Sequence, residues 1–583
     1  MINVEKYRVV IYDNQRKKWQ EFRGLTDVIT TKDVNEVEGA LRETNDRVSR
    51  DKMYAAGFLS YDSAPAFDEA MQVRESTEFP LLWFGLFRDV VSHMEFPQQG
   101  FNQYSLGQWR KGLNTEEYRK ALKTIRGLLE EGETYQVNYS YRQVTEFTGV
   151  AESLFVDMLR RQESHYGAFI ETGDWTVCSG SPELFFRKEG SRLISKPMKG
   201  TTKRGLTLEG DRDQAGWLYQ SEKNRAENVM IVDMVRNDMG RIAKSGTVRV
   251  PKLYSLEKYP TVWQMTSTVE CETEADFPEI FKALFPCASI TGAPKISTMR
   301  IIADLERSPR NIYTGSIGYM SPGGEMQFNV AIRTALINKA NSTMEYGTGG
   351  GIVWDSDIEE ELEEARLKTV QITDPRPDFQ LLETLLWKEE VGYFLLGYHL
   401  KRISESAEYF GYDYQEKLLT EKLHFLESNF ANNDYRIRLL LSENGKSQLE
   451  WSEYEDRQGD QTVPLRFAPA PVDPSNRFLY HKTTHRSMYE FGLSGDVTDG
   501  EFVLWNPGGE VTETSIANIV VRWEGELITP PVHCGLLPGT MRQYLLDAGK
   551  IHEHIVTKEM LKQAEEIYVI NSVRKWRSAT LIE

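Results

Sequence analysis

The sequence predicts an α+β chain folded as two domains, and three observations carry that expectation. The first is length: 583 residues exceed what one hydrophobic core organises. The second is texture. Short β-rich runs such as "MYAAGFLSYD", "GAFIETGDWTVCSGSPELFFR" and "NVAIRTALINKANSTMEYGTGGGIVWD" are punctuated by a few long helical stretches such as "TEEYRKALKTIRGLLEEG". That is not the strict alternation of a βαβ fold. The third is a break at "TDPRPDFQ", residues 373–380, where two prolines stop the long helical run "DSDIEEELEEARLKTVQ".

The expected layout is a first domain over 1–373, a linker over 374–378 and a second domain over 379–583. Past the break, "LLETLLWKEEVGYFLLGYHLKRISESAEYFG" reads as a strand, a turn at Glu389–Glu390, a second strand and a helix from about His399. The chain contains no internal repeat and no low-complexity tract.

Charge and composition exclude several classes. Net charge is −18 and no block is dense in lysine and arginine, which argues against a nucleic-acid partner. The first twenty residues mix charges into a short apolar run, unlike a secretory signal. No stretch approaches the roughly 20 apolar residues of a membrane span, so no membrane partner is expected. Cys178, Cys271, Cys287 and Cys534 are scattered, without metal or disulfide spacing, as suits a cytoplasmic protein. None stands in a Gly-x-Cys-x-Gly setting.

Four constellations in the first domain invite chemistry. In "KNRAENVMIVDMVRNDMGRIA", 223–243, helical spacing puts Lys223 and Glu227 on one face, where an i,i+4 surface ion pair is the commonest outcome. In "DSDIEEELEEARLK", 355–368, Glu361, Glu364 and Lys368 share a helical face after the glycines of "GTGGGIV". An acidic run is usually a solvated face. A helix start behind three glycines is also a ready anion site, and a hard divalent cation would give the nearby carboxylates a purpose. "SITGAPKISTMR" and "RNIYTGSIGYM…VAIRTAL" add Thr291, Tyr313 and Arg333, and an arginine holds a carboxylate bidentately. The glycine pattern fits neither Gly-x-Gly-x-x-Gly nor a P-loop. Lys199, in "ISKPMKGTTKRG", sits where a strand is expected to end in a tight turn.

Together "SGSPELFF", "KPMKGTTKRG", "AENVMIVDMVRND", "SITGAPK", "YTGSIGY", "AIRTAL" and "GGGIVWDSD…EE…K" resemble the chorismate-utilising enzymes, a family that includes anthranilate, isochorismate and aminodeoxychorismate synthases. The resemblance runs in order through most of 100–370. It implies Mg2+ held by Glu227 and Glu364 with Glu361 nearby. It also implies a substrate site of Thr291, Gly292, Tyr313, Arg333, Gly349, Gly350, Gly351 and Lys368. Ser221 and Asn224 stand where relatives often carry an acidic residue, which points to a different outer sphere for the metal.

Within the family, anthranilate synthases carry alanine in "PIAGT" and aminodeoxychorismate synthases lysine in "PIKGT"; here the run is "PMKGT". The resemblance therefore implies Lys199 as a nucleophile on C2 of chorismate, expelling the C4 hydroxyl before ammonia enters at C4. Such a lysine must lose its proton to attack. Glu183 of "SPELF" matches the proton shuttle. Gln136 stands where isochorismate and salicylate synthases place a basic lysine, which favours an amine over water as the incoming group.

The second domain offers Lys482 in "FLYHKTTHRS", Glu513 in "GEVTETSIANIVV", Arg402 at a helix start, and "LLPGTMR" as a loop running into a helix at Thr540. Each has an ordinary surface reading. A lysine, a carboxylate and a cationic cup at a helix end are also what pyridoxal phosphate needs. In combination, 379–583 resemble the fold-type IV pyridoxal phosphate enzymes, although the usual first strand and its Asn-Gly turn are missing. The resemblance implies Lys482 as Schiff-base lysine and proton carrier, and Glu513 on the ring nitrogen. Arg402, Thr540 and Thr514 complete the cofactor site. "KTTHR" and "NSVRKWR" are most similar to the aminodeoxychorismate lyases of that family.

The expected function is two-step synthesis of 4-aminobenzoate from chorismate and ammonia, with Mg2+ and pyridoxal 5'-phosphate as cofactors. The alternative is an anthranilate-type synthase fused to a branched-chain or D-amino-acid aminotransferase-like domain; an inactive chorismate-binding scaffold is a third reading. Lacking a glutaminase cysteine, the chain is expected to take ammonia from a separate glutamine amidotransferase subunit.

Overall fold

The strand Leu82–His93 shows how the first half of the chain builds its interior. Side chains alternate faces along a strand. Leu82, Phe84 and Leu86 accordingly enter one apolar cluster, and Trp83 and Phe87 another. The antiparallel neighbour Tyr54–Leu59 divides the same way, Ala55 and Leu59 against Ala56 and Phe58. The second cluster is built almost wholly from strand residues, among them Val9, Ile11, Phe22, Ile170, Val177 and Ile317. Helices Val37–Asp51, Glu222–Gly240 and Phe277–Leu284 supply the first with Leu41, Val48, Ile231, Val235, Phe277 and Phe281. Strand side chains thus pack on each other on one face and against helices on the other.

The computed structural model describes residues 6–99, 103–162, 164–362, 365, 377–431, 433–455, 461–490 and 500–582. The chain divides into two compact units. The first comprises Met1–Lys203 and Ala215–Arg376, the second Arg204–Gln214 and Pro377–Glu583. Among the described residues, nineteen strands of the first unit are joined by ladder pairing. No described helix is long and apolar enough to cross a membrane.

Two strands matter most for the first unit's chemistry. Gln136–Gly149 and Thr343–Ile352 pair antiparallel from Val137 opposite Ile352 to Glu146 opposite Thr343. The helix Thr115–Glu130 covers them. It starts at Asn114, whose side chain and that of Glu117 cap each other's backbone N–H. Its Tyr118, Ala121, Leu122 and Ile125, spaced three and four apart, pack on Val137, Tyr139, Tyr141 and Ile352.

A buried ionic clamp fastens the strand Gln136–Gly149 to two loops. Arg310 Nη2 lies 2.6 Å from Glu306 Oε1, one helical turn away in sequence, and both side chains are nearly inaccessible. Glu306 Oε1 also accepts from the Ser140 amide and hydroxyl, at 2.9 and 2.8 Å. Arg310 spends its other donors on Ile290 O at 2.9 Å and Asn138 O at 2.6 Å. Asp62 accepts the backbone amides of Arg310 and Asn311, at 3.1 and 2.7 Å. The buried Arg310–Glu306 pair is matched and hydrogen-bonded, the condition under which burial of charge is tolerated, while desolvation pushes the Asp62 carboxyl up to about 7.

In the second unit, Leu381–Lys388 pairs with Tyr435–Leu441, which pairs with Ser447–Glu453. A short strand, Gly392–Tyr393, follows the turn at 389–391, and a helix runs Leu396–Phe410, three residues earlier than the sequence suggested. Ile403, Ala407 and Phe410 of that helix join Leu419 and Leu423 of the helix Glu416–Glu427 against Leu385, Ile437 and Leu439. An eight-stranded sheet holds the rest; Val463–Phe467 lies in it, parallel to both Glu501–Trp505 and Lys575–Leu581. The piece Arg204–Gln214 belongs to this unit, and its Leu208 packs on the same helical core.

Removing one member of a buried pair leaves the other uncompensated, at a cost of about 3–5 kcal/mol. Glu306→Ala should therefore lower the first unit's thermal transition by several degrees in calorimetry. A transition within a degree of the parent would show that the clamp stabilises nothing.

Candidate active sites

Lys199 lies in the strand Met198–Lys203, not in a turn. Arg192–Lys196 and Met198–Lys203 both pair antiparallel with Val262–Glu272; the register runs unchanged across Pro197 and shifts between Met198 and Thr201, around Lys199 itself. The Lys199 ammonium points to the helix Glu222–Gly240 and stands 3.6 Å from Glu227 Oε2, both side chains about 15% exposed. Asn228 Nδ2 donates to Lys199 O at 3.1 Å and Ser267 Oγ to Asn228 Oδ1 at 2.5 Å, fixing helix to strand. The i,i+4 pairing of Lys223 with Glu227 is not made. Lys223 Nζ donates to Asp355 O at 3.2 Å, while Glu227 takes the cation from the neighbouring strand.

The three glycines also differ from expectation. They lie inside the strand Thr343–Ile352, not at a helix N-terminus. Their role is space. A Cβ on Gly351 would collide with the Lys199 ammonium, and one on Gly350 would stand 2.7 Å from Glu361 Oε2. Ser356 Oγ donates to Glu361 Oε1 at 2.8 Å and orients it. Glu364 and Lys368 lie outside the described residues. Glu227 and Glu361 offer carboxylate oxygens only, a donor set that suits a hard cation such as Mg2+. Among the described residues, no group of three or more His, Cys, Asp or Glu side chains stands ready to hold a metal.

Glu183 is buried, and desolvation pushes its carboxyl up to about 7, against the Ser289 hydroxyl at 2.6 Å, the Met198 amide and the Lys199 charge. It can therefore hold a proton near neutrality. Ser289, inside "SITGAPK", is a partner that sequence reasoning missed. Gln136 is fully buried, and neither its Oε1 nor its Nε2 has a hydrogen-bond partner. An orphaned amide next to Gly351 and Lys199 is an open polar position for a ligand.

Arg333 adopts φ +52°, a left-handed conformation costly for a side chain of its size. Among the described residues no carboxylate pairs with it, and burial holds its guanidinium below the ordinary arginine range. Its nearest aromatic face is Tyr259, at 5.8 Å. A half-buried guanidinium with no carboxylate beside it wants an anion. The Tyr313 ring packs over Gly347, with the Arg142 guanidinium 4.6 Å from its centre. Thr291 is buried, and its hydroxyl is turned onto Cys287 O and Ala288 O, both at 3.2 Å; Gly292 follows at φ +151°. Tyr313, Glu361, Gln136 and Lys199 thus meet one strand between Gly347 and Gly351, a span of about 13 Å.

In the second unit, Lys482 lies inside, where desolvation and the Arg402 charge lower its amine to about 8. Glu513 is buried and raised to about 8 by the same desolvation, against the Leu537 amide at 3.2 Å and the Tyr489 hydroxyl at 3.0 Å. Asn518 Nδ2 reaches its other oxygen at 3.3 Å. A protonated ring nitrogen facing Glu513 would supply the cation that this carboxyl lacks. Arg402 is held bidentately by Glu383, at 2.8 and 2.6 Å, and donates to Pro538 O at 3.2 Å. Glu383 also takes His399 Nδ1 at 2.7 Å, and His399 Nε2 stands 3.4 Å from Thr540 Oγ1. Thr540 opens the helix Thr540–Asp547, which has no side-chain cap. Amine, carboxyl, guanidinium and helix end fit a pyridine ring carrying a phosphate.

Thr514 differs. Its hydroxyl donates to Glu501 Oε2 at 2.7 Å and accepts from the Ala517 amide at 3.0 Å, which closes its own turn. Glu383, His399 and Tyr489 went unread in the sequence, because they act through partners 16 to 24 residues away.

Residues 6–374 match the chorismate binding enzyme family, and residues 380–582 match amino-transferase class IV. Over 362 residues the chain is 32% identical to aminodeoxychorismate synthase component 1 of Bacillus subtilis, covering 55% of this chain and 77% of that protein. The protein of the same name from Escherichia coli is 36% identical over 270 residues, covering 46% and 59%. Anthranilate synthase component 1 of Aquifex aeolicus is 36% identical over 274 residues, covering 46% and 55%. The chain thus spans less than two thirds of the latter two. The crystal structure of anthranilate synthase component I from Streptococcus pneumoniae has the same fold, with a TM-score of 0.53 at 24% identity over 63% of this chain and 92% of that one. The chain belongs to the chorismate binding enzyme family, an aminodeoxychorismate synthase-like domain joined to an amino-transferase class IV domain.

Proposed function

We propose that the chain makes 4-aminobenzoate in two steps, amination of chorismate in the first unit and loss of pyruvate in the second. The observation that carries the first step is the approach of the Lys199 ammonium to Glu227 beside the gap left by Gly351. Similarity to the Aquifex anthranilate synthase is as high as to the Escherichia coli relative, so overall identity does not choose between the two chemistries. Lys199 does. An alanine there would leave ammonia to attack the ring directly, whereas the lysine amine provides a covalent route.

In that route the neutral Lys199 amine forms a bond to C2 of chorismate. Both conjugated ring double bonds shift, and the C4 hydroxyl departs as water with a proton from Glu183. Ammonia then bonds to C4, the two double bonds shift back, and Lys199 leaves C2 with its electron pair restored. Water out and ammonia in give 4-amino-4-deoxychorismate, and each displacement is easier than a single one. Arg333 and Tyr313 bind the carboxylates, and the Gln136 amide faces the reacting ring. Mg2+ held by Glu227, Glu361 and Glu364 would neutralise substrate carboxylate charge.

The second step uses pyridoxal phosphate, held by Lys482, Glu513, Arg402 and Thr540, which supplies an electron sink when bound. Lys482 Nζ moves a proton between substrate and leaving group. The depressed affinity of its amine for protons suits that exchange near neutral pH. Glu513 keeps the ring nitrogen protonated. Pyruvate departs and the remaining ring becomes aromatic. The protein works in the cytoplasm, supplying a folate precursor.

Lys199→Ala should abolish aminodeoxychorismate formation from chorismate, Mg2+ and ammonium, a loss of at least a thousandfold in kcat, with chorismate still bound by calorimetry. Parent-like turnover would end the covalent route.

Pyridoxal phosphate should give the parent a visible absorbance band. After borohydride reduction, peptide mass mapping should find the pyridoxyl group on Lys482 and nothing in Lys482→Ala. An adduct on another lysine would refute the assignment.

The ammonia source is a separate glutamine amidotransferase subunit. The purified chain should convert chorismate with concentrated ammonium at alkaline pH, where the neutral nucleophile is abundant, and remain inert with glutamine alone. Product from glutamine unaided would remove the need for that subunit.

A further inference from the structure

The second unit contains one piece that its position in the sequence does not announce. Arg204–Gln214 follows the Lys199 strand directly, yet packs inside the unit that carries Lys482. Its contacts are buried and specific. Arg204 Nε lies 2.5 Å from Asp211 Oδ1, with the two side chains 5% and 2% exposed. Arg204 Nη2 donates to Tyr409 O at 2.8 Å, and its guanidinium lies 4.5 Å from the centre of the Tyr409 ring. The Tyr409 hydroxyl returns a bond to Gly205 O at 2.7 Å. The segment and the end of the helix Leu396–Phe410 therefore lock in both directions.

What the lock reaches is His481, the residue before Lys482. His481 Nε2 is 3.1 Å from Leu206 O, and its Nδ1 is 3.0 Å from Ser406 Oγ. A carbonyl only accepts, so Nε2 carries the proton and Nδ1 takes the serine hydroxyl. The ring stacks on Tyr409 with centroids 4.3 Å apart and meets Phe410 edge-on at 4.8 Å. Both imidazole nitrogens are thus bonded, and the ring is packed on two aromatic side chains. On the backbone, Leu382 N donates to Lys482 O at 2.9 Å and Thr484 N to Gln380 O at 2.9 Å. The run 481–484 is pinned to the strand Leu381–Lys388 by its backbone and to Arg204–Leu206 by the His481 side chain.

We propose that Arg204–Gln214 is a positioning element of the Lys482 site, fixing His481 through the Leu206 carbonyl and thereby the place from which the Lys482 amine meets the cofactor. The inference rests on the reading of the second unit as a pyridoxal phosphate site. Mere structural support would lower stability alone. A positioning role lowers the yield of the lysine–cofactor linkage in protein that is still folded.

The test uses the full chain, titrated with pyridoxal phosphate and followed by the visible band, by borohydride trapping on Lys482 and by calorimetry of the cofactor-free protein. Tyr409→Phe removes only the hydroxyl bonded to Gly205 O, and His481→Leu removes the donor to Leu206 O. Each should weaken cofactor binding at least tenfold and slow trapping on Lys482, while the cofactor-free transition of Tyr409→Phe stays within a few degrees of the parent. His481→Gln, which retains an N–H donor, should recover part of the loss, which packing alone does not predict. Parent-like affinity and trapping in both Tyr409→Phe and His481→Leu would overturn the proposal, as would an equal loss in His481→Gln and His481→Leu. If His481→Leu does not fold, Tyr409→Phe decides alone. Failure of the parent itself to bind pyridoxal phosphate would instead refute the cofactor reading.

Discussion

The first unit depends on one buried cation. Arg310 reaches Glu306, Ile290 O and Asn138 O, so a single guanidinium ties the "SITGAPK" loop and the "YTGSIGY" approach to the strand opposite Gly349–Gly351. Those three segments hold several of the candidate site residues. An arginine suits this duty because its donors are fixed in a planar fork and it stays charged when buried. The clamp sets distances among groups that no local sequence preference could hold.

Burial is used in opposite senses at three carboxylates. Glu183 and Glu513 sit where desolvation outweighs their partners, and both keep a proton near neutral pH. Glu383 is as deeply buried, but Arg402 and His399 reverse the outcome and hold it at about 2. One side-chain type thus yields proton donors in two places and a permanent anion in a third, according to whether a cation is built in beside it.

The sequence made the motifs legible, since each is a short local string. The sequence alone singles out Lys199, Glu183, Glu227 and Glu361 as candidates, and Lys482, Glu513 and Arg402 with them. Local conformation was less legible. The sequence places Lys199 where a strand ends in a tight turn, but the neighbouring strand Val262–Glu272 holds both sides of it in one ladder, with a register shift in place of a turn. The glycines were read as a helix approach because a helical pattern follows, yet pairing with Gln136–Gly149 draws them into a strand. Lys223 and Glu227 had the right spacing to pair, and a lysine from another element won. Asp62 bonds backbone 248 and 249 residues away, and nothing in the text around it announces that.

The excursion of Arg204–Gln214 into the second unit has a consequence in time. Arg204 and Tyr409 are 205 residues apart, and Leu206 and His481 are 275 apart. At roughly 5–20 residues per second, about 10–40 s of synthesis separate Arg204 from its tyrosine. During that interval a buried-type arginine, its aspartate and Leu208 have no completed surface to enter. A nascent chain must carry this segment exposed until the last third of the protein emerges.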